Sequence, residues 1–258
     1  MEGFVAPTAH QHTDDNTRDQ MSTRDRVVAF FIAPARFFED ICGSPAIEIN
    51  WRVPIMVFLV VTLLLRQFML ANPGLLAQMQ TKIAEEIDTA ITSSQMSPQE
   101  AEQARTFATP GSAPFELFLA FLMIAVVPLL LFALSLIYWL LGRLGMNSDA
   151  PFRKVVELVG ITFFVNTIEG IVTAGLMLAT RSITATPSLA LFTPSLDPES
   201  SMFLALTLAN PFRVWDLALM SFGLAELFQR DLPKVAVIVF SLWIAWSAAT
   251  VMVGIRLS

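Results

Sequence analysis

The chain has 258 residues, of which 55% are hydrophobic and 15% are charged. Ordinary soluble domains are less apolar than this, so the composition indicates a membrane protein. The 16 basic and 22 acidic residues leave a formal net charge of −6 and form no basic stripe, which excludes a nucleic-acid-binding protein. A single cysteine, Cys42, excludes an internal disulfide.

The chain begins with a polar segment, residues 1–25, which lacks the apolar core of a secretory signal. We expect it to be a disordered cytoplasmic tail. From Val27 apolar residues recur at helical spacing, and Pro34 can begin a short amphipathic helix. Its apolar face holds Phe37, Phe38 and Ile41, and the other side holds Arg24, Arg26 and Arg36. This pattern predicts a helix that lies in the membrane interface.

Five apolar stretches follow, each near the length of about 20 residues that a helix needs to cross the hydrocarbon core. They comprise residues 53–71, 115–141, 155–179, 211–228 and 235–255. Residues 26–258 are therefore predicted to form one all-α membrane domain, a bundle of five transmembrane helices. The interfacial amphipathic helix lies at the N-terminus of this domain.

Lysine and arginine are unevenly distributed between the two sides of the predicted bundle. The N-terminal segment and the loops after the second and fourth spans contain ten of them, whereas the remaining loops and the C-terminus contain four. Cytoplasmic segments are enriched in these residues. The distribution therefore places the N-terminus in the cytoplasm and the C-terminus outside.

The first outer loop, residues 72–113, contains two helical patterns. One apolar stripe begins at Leu75 and continues to Ile91. A second helix is predicted to begin after Ser97, which can cap it, with Glu100 reaching back to the cap. We expect a helical hairpin on the outer face that either covers the bundle or binds a partner.

Several polar residues within the predicted spans lie at a similar depth. At 1.5 Å per residue they lie about 16 to 22 Å above the cytoplasmic boundary. They are Arg66 in the first span, Asn166 and Glu169 in the third, and Arg213 and Asp216 in the fourth. A charge in hydrocarbon is costly unless it is paired or hydrated, so we expect these five residues to face inward as one cluster.

Two roles are open for such a cluster. It can fix helix packing and register, with the arginines as an alternative extending to the outer surface. It can also form an ion or proton relay, or bind a polar headgroup. Glu157 and Glu226 lie near the cytoplasmic ends of their spans, where we expect them to reach water.

The sequence contains none of the patterns GxSxG, HExxH or a glycine-rich phosphate loop. No histidine lies within a span, and no Cys/His spacing suggests a zinc site. We therefore predict no catalytic, cofactor-binding or metal-binding residue and no enzymatic activity.

Three stretches carry a resemblance to a known family: FFIAPARFFEDICGSPAIEINWRVP, APFRKVVELVGITFF and ANPFRVWDLALMSFGLAELFQRDLPKVAVIV. In this order, and together with the five spans, they resemble the Yip1 domain family of multi-pass membrane proteins over roughly residues 27–255. The most specific positions are Phe212, Trp215 and Gly223, which match the family's aromatic residue, tryptophan and later glycine.

The resemblance implies five transmembrane helices and a cytoplasmic N-terminus. Eukaryotic members are trafficking factors that engage small GTPases and partner membrane proteins, largely through long N-terminal regions; this chain, with its short tail, is more similar to the bacterial members. We hypothesise a non-enzymatic protein of the bacterial cytoplasmic membrane that acts through membrane-protein partners, copies of itself or lipid organisation. The alternative is a small permease or an ion or proton pathway that uses the intramembrane charges.

Overall fold

The computed structural model describes residues 21–93, 95–193, 195–198 and 200–257, and this part of the chain is helical without a strand. The helices are α1 (Thr23–Ile32), α2 (Pro34–Cys42), α3 (Ile49–Leu70), α4 (Pro73–Thr92), α5 (Pro98–Phe107), α6 (Ala113–Leu140), α7 (Phe152–Thr180), α8 (Ser201–Leu208), α9 (Pro211–Phe228) and α10 (Leu232–Leu257). A π-helical turn, Leu141–Gly145, extends α6, and a 3-10 turn, Leu189–Phe192, precedes α8.

Four of these helices are long and apolar enough to cross a membrane: α3, α6, α7 and α10. They contain the first, second, third and fifth predicted spans. The remaining prediction, residues 211–228, matches α9 in its bounds. Length and composition do not mark α9 as a span, because its 18 residues include three charged ones, Arg213, Asp216 and Glu226.

The centre of the molecule is α7, which packs against α3, α6 and α9. In its most apolar stretch 56% of the residues are buried within the protein, compared with 6% for α6 and 17% for α3 and for α10. Helix α9 in turn contacts α2 and α10. The apolar side chains of α3, α6 and α10 therefore face largely outward, as expected of helices that contact lipid.

A glycine allows α3 and α7 to approach closely. A Cβ atom on Gly160 would collide with Cβ of Trp51 and would lie 2.8 Å from its Cα, which belongs to the backbone of α3. Glycine is therefore required here for steric reasons, as at other close helix crossings in membranes.

The predicted amphipathic segment forms two helices with different surroundings. Phe37, Phe38 and Ile41 of α2 are buried, and Phe38 packs onto Gly223 of α9, where an added Cβ would lie 3.0 Å from its ring. The face that we predicted to contact the membrane surface thus contacts the protein. Four apolar side chains of α1 remain exposed, namely Val27, Val28, Phe31 and Ile32.

The N-terminal boundary also differs from the prediction. Residues 1–20 of the predicted tail lie outside the described residues. Thr23 already begins α1, and the Ser22 side chain accepts a hydrogen bond from Asp25 N as its cap. An ion pair of 2.8 Å between Arg26 and Asp40 joins α1 to α2.

Residues 73–107 form the two helices predicted for the first outer loop. Ser97 and Glu100 make the capping box at the start of α5, and the Ser97 backbone N–H, which donates to the Glu100 carboxylate, lowers the pKa of that group. Arg105 pairs with Asp88 across the two helices.

Contacts between loops show which helix ends lie on the same side. Gln78 of α4 donates to Arg181 O and accepts from Ile183 N, so the loops after α3 and α7 meet. At the opposite end, the Arg230 guanidinium donates to Met146 O. The loops after α6 and α9 therefore lie together, as an alternating arrangement requires.

We expect Gly160→Ala to destabilise the protein by roughly 1–3 kcal/mol, because the added methyl group must push α3 away from α7. Gly175→Ala on the same helix is the matched control, since nothing lies within 4 Å of a Cβ there. The thermal midpoint of the purified protein in a mild detergent measures both. Equal midpoints for the two variants would contradict the close packing at Gly160.

Candidate functional site

Four of the five predicted cluster residues meet between α7 and α9. The Arg213 guanidinium lies 3.7 Å from Glu169 Oε2 and 3.5 Å from Asp216 Oδ2. It also donates a hydrogen bond of 3.4 Å to Asn166 Oδ1. Arg213 thus joins its own helix to α7, and we call Asn166, Glu169, Asn210, Arg213 and Asp216 the α7–α9 cluster.

Asn210 is a member that the prediction missed. Its Oδ1 accepts from Phe212 N and caps α9, while its Nδ2 donates to Glu169 Oε1 at 2.6 Å. Asparagine preceding proline is a common start of a helix, and the sequence shows that cap. The hydrogen bond from Asn210 to Glu169 could not be predicted from the sequence, because it requires the start of α9 to lie beside Glu169 in the tertiary structure.

The cluster is neither fully buried nor balanced in charge. The side chains of Glu169 and Asp216 are 20% and 16% exposed, and that of Arg213 is 38% exposed. Asp216 Oδ1 is buried without a well-formed hydrogen bond among the described residues, and the hydroxyl of nearby Thr162 donates to Val159 O. Two carboxylates share one guanidinium, so the cluster carries one excess negative charge when both are ionised.

The prediction was wrong in placing Arg66 in this cluster. Arg66 Nε donates to Glu116 Oε2 at 2.5 Å and Nη2 donates to Oε1 at 2.9 Å, which is a bidentate ion pair between α3 and α6. The described residues show no ion pair between Arg66 and Glu169 or Asp216. We grouped Arg66 with the cluster only because it lies at a similar depth along its helix. The side chain of Arg66 points toward α6, because α3 is rotated about its axis in that direction.

Local contacts hold the Glu116 carboxylate in position beside Arg66. The backbone N–H of Gly111 donates to Glu116 Oε1 at 3.1 Å, and Gly111 adopts a φ of 87°, a left-handed conformation that favours glycine. The Phe115 ring lies 6.0 Å from the Arg66 guanidinium carbon. Glu116 lies at the start of the second predicted span, and Arg66 lies near the end of the first. Consecutive spans place these two ends on the same side, which was the available signal.

A buried ion pair lies in the first turns of α7. Lys154 Nζ is 2.8 Å from Glu157 Oε2, and the two side chains are 4% and 1% exposed. Asn50 Nδ2 donates to Glu157 Oε1 at 2.5 Å, and Lys154 Nζ donates to Pro45 O. These contacts connect the N-terminal segment to α7.

The expectation that Glu157 reaches water was therefore wrong. Its position at the start of the span indicated the membrane boundary, but the first turn of α3 and the segment before it cover Glu157 and Lys154. Glu226, for which we made the same prediction, is exposed.

Two clefts in the described part of the chain lie away from the α7–α9 cluster. One is formed by the loops after α6 and α9 and the first turns of α10, and the other lies between α4 and the loop after α7. Neither is lined by a cluster residue. Among the described residues, no three His, Cys, Asp or Glu side chains gather in a way that could hold a metal ion.

A set of single and double variants tests the separation of Arg66 from the cluster. We expect the stability losses of Arg66→Met and Glu169→Leu to add within roughly 0.5 kcal/mol, because the residues have different partners. Arg66→Met and Glu116→Leu should lose less together than the sum of their separate losses, because either single variant leaves an unpaired charge. The unfolding free energy of each variant measures this. Strong coupling between Arg66 and Glu169 would restore the original prediction.

We also expect Lys154→Met to destabilise the protein by roughly 3–5 kcal/mol, since it leaves Glu157 buried and unpaired. Replacing both residues, as Lys154→Met with Glu157→Leu, should cost less. Lys234→Met is the control, because this lysine also pairs with an acid three residues away but is exposed. A control loss as large as that of Lys154→Met would show that burial is not the cause.

Comparison with known proteins supports one assignment. No curated protein and no solved structure matches the chain. The model of the Yip1 domain matches residues 28–254, nearly the whole length. This match covers α2 to α9, most of α10 and every residue of the α7–α9 cluster, and the chain therefore belongs to the Yip1 domain family.

Proposed function

We propose that this protein is a non-enzymatic, five-span protein of the bacterial cytoplasmic membrane that acts through contacts with lipids and with other membrane proteins or copies of itself. In this proposal the N-terminus is cytoplasmic and the C-terminus lies outside. The intramembrane charges hold the helices in register.

The observation that carries the proposal is the pairing of charges between helices. Arg66 and Glu116 join α3 to α6, whereas Arg213 and Glu169 join α9 to α7. Partners that lie on different helices fix how those helices rotate and slide against each other. Such pairs suit a structural role, because an unpaired charge within hydrocarbon would be costly.

Three features support α9 as the fifth span. It begins at Asn210 beside Glu169, near the middle of α7, and its last turn packs against the π-helical turn of α6. Its 18 residues rise about 27 Å, close to the thickness of the hydrocarbon core. Its charged residues Arg213 and Asp216 contact α7 or each other, which lowers the cost of their transfer into the bilayer.

The N-terminal helices support an attachment to the membrane interface, with α1 in the role first predicted for α2. The exposed apolar residues Val28, Phe31 and Ile32 lie on α1, and the exposed arginines Arg24 and Arg36 lie nearby in sequence. Apolar side chains that enter the headgroup region next to basic residues are typical of interfacial helices.

The lone cysteine supports a non-enzymatic role. Burial raises the pKa of the Cys42 thiol to about 12, so it stays protonated near neutral pH. Its Sγ contacts Gly223 O at 3.9 Å, which places it in the packing between α2 and α9. A thiol in these surroundings is a packing group rather than a nucleophile.

A second candidate function, an ion or proton pathway, is favoured by the imbalance in the α7–α9 cluster. Asp216 Oδ1 makes no well-formed hydrogen bond among the described residues, and the two carboxylates face one guanidinium. Such a site can accept one proton.

A flux assay separates the two functions. The full chain, reconstituted in liposomes with a pH gradient and a valinomycin-set potential, should show no proton flux above empty liposomes. Glu169→Gln and Asp216→Asn should lower the thermal midpoint, whereas Glu226→Gln on the same helix, an exposed position, should not. Flux in the wild type that Asp216→Asn abolishes, with the fold intact, would instead establish the pathway.

A further inference from the structure

A cleft of about 710 Å³ opens where the loops after α6 and α9 meet α10. Its polar wall is formed by Asn147, Arg230 and Lys234, and its apolar wall by Pro233, Val237 and Ile238. We call it the α6–α10 cleft. It shares no residue with the α7–α9 cluster, with the Arg66–Glu116 pair or with the Lys154–Glu157 pair.

The ends of the helices that form the cleft place it at the membrane boundary. The membrane-spanning stretch of α6 ends at Gly145, and that of α10 begins at Leu232. Gly145 and Pro233 both line the cleft. The ends of two spanning helices therefore meet here, with the basic residues at the helix ends and Val237 one turn further into the span.

Backbone features keep the cleft open. The π-helical turn Leu141–Gly145 packs Gly142 against the ring of Phe228, where an added Cβ would lie 2.5 Å from Cζ. Asn147 and Gln229, which follow the two helix ends, have φ values of 49° and 52°. These left-handed residues turn the chain away from each helix axis and separate the loop from the start of α10.

The two basic side chains leave donors for an anion. Arg230 Nε donates to Met146 O at 3.0 Å, and Nη2 donates to the same oxygen, which positions the guanidinium at the edge of the cleft. Lys234 Nζ lies 3.0 Å from Asp231 Oδ2, but this pair is 75% and 72% exposed. Exposed pairs of this kind contribute little to stability, so the ammonium group can exchange its partner at low cost.

We propose that the α6–α10 cleft binds the phosphate group of an anionic phospholipid between Arg230 and Lys234. Basic side chains bind lipid phosphates at the membrane surface, and here they lie where two spans end. The headgroup occupies the polar end of the cleft.

The apolar wall selects a lipid rather than a free phosphate. Val237, whose side chain is 65% exposed, continues the cleft along α10 toward the hydrocarbon core. An acyl chain can lie along this surface while the phosphate remains at the basic end. The lipid-binding proposal requires that α6 and α10 cross the membrane. It does not depend on whether the α7–α9 cluster is structural or on whether α9 is a fifth span.

Native mass spectrometry of the full chain, titrated with phosphatidylglycerol or phosphatidylcholine in a non-ionic detergent, tests the proposal. We expect phosphatidylglycerol to bind more tightly. Lys234→Gln should weaken that affinity about five-fold, the effect of one basic residue near an anionic lipid, and Lys234→Arg should restore it. Arg153→Gln is the control, because Arg153 is exposed and does not line the cleft.

One further variant and a competition experiment with inorganic phosphate distinguish a lipid from free phosphate as the ligand. Val237→Trp, which fills the apolar wall but keeps both charges, should also weaken phosphatidylglycerol binding, and excess inorganic phosphate should not displace the lipid. Equal affinity for the two lipids, or equal effects of Lys234→Gln and Arg153→Gln, would overturn the proposal. Displacement by inorganic phosphate would also overturn it in favour of a free-phosphate site.

Discussion

The packing of α7 against three other helices is the constraint on which the rest of the structure depends. Because α7 is enclosed by α3, α6 and α9, any polar group on it must find a partner within the protein. Gly160 allows this enclosure by letting the backbone of α3 approach. The polar residues in the first turns of α7, Lys154 and Glu157, and those near its middle, Asn166 and Glu169, follow from that position, because each contacts the segment that covers it.

Three sites of charged residues in and around α7 join different parts of the chain. Lys154 and Glu157 bind Pro45 O and Asn50 of the N-terminal part, Arg66 and Glu116 connect α3 to α6, and the α7–α9 cluster connects α7 to α9. A group of helices held in this way can leave its outer surfaces apolar. Those surfaces are then available to lipids and to partner membrane proteins, in accordance with the non-catalytic role proposed for this member of the Yip1 domain family.

The two ends of α9 differ in chemistry. At one end Asn210 links the start of α9 to Glu169, so backbone capping and charge pairing share one side chain. At the other end the chain turns sharply through residues of positive φ and leaves the α6–α10 cleft with basic side chains. The proposed lipid site thus arises from loop geometry, whereas the ion pairs arise from helix packing.

The sequence by itself determined that the chain is an all-helical membrane protein, where most helices begin and end, and which charges are exceptional. Periodicity, caps such as Asn210 before Pro211, and the cost of charge in hydrocarbon were sufficient for these conclusions. Only the tertiary structure decided which charged side chains pair with each other and which are covered by other segments. Depth along a helix placed Arg66 level with Glu169, but the rotation of α3 about its axis directed it to Glu116, and the chain that covers α7 buried Glu157. Rotation and coverage depend on contacts between segments distant in sequence, and a local pattern of residues does not contain them.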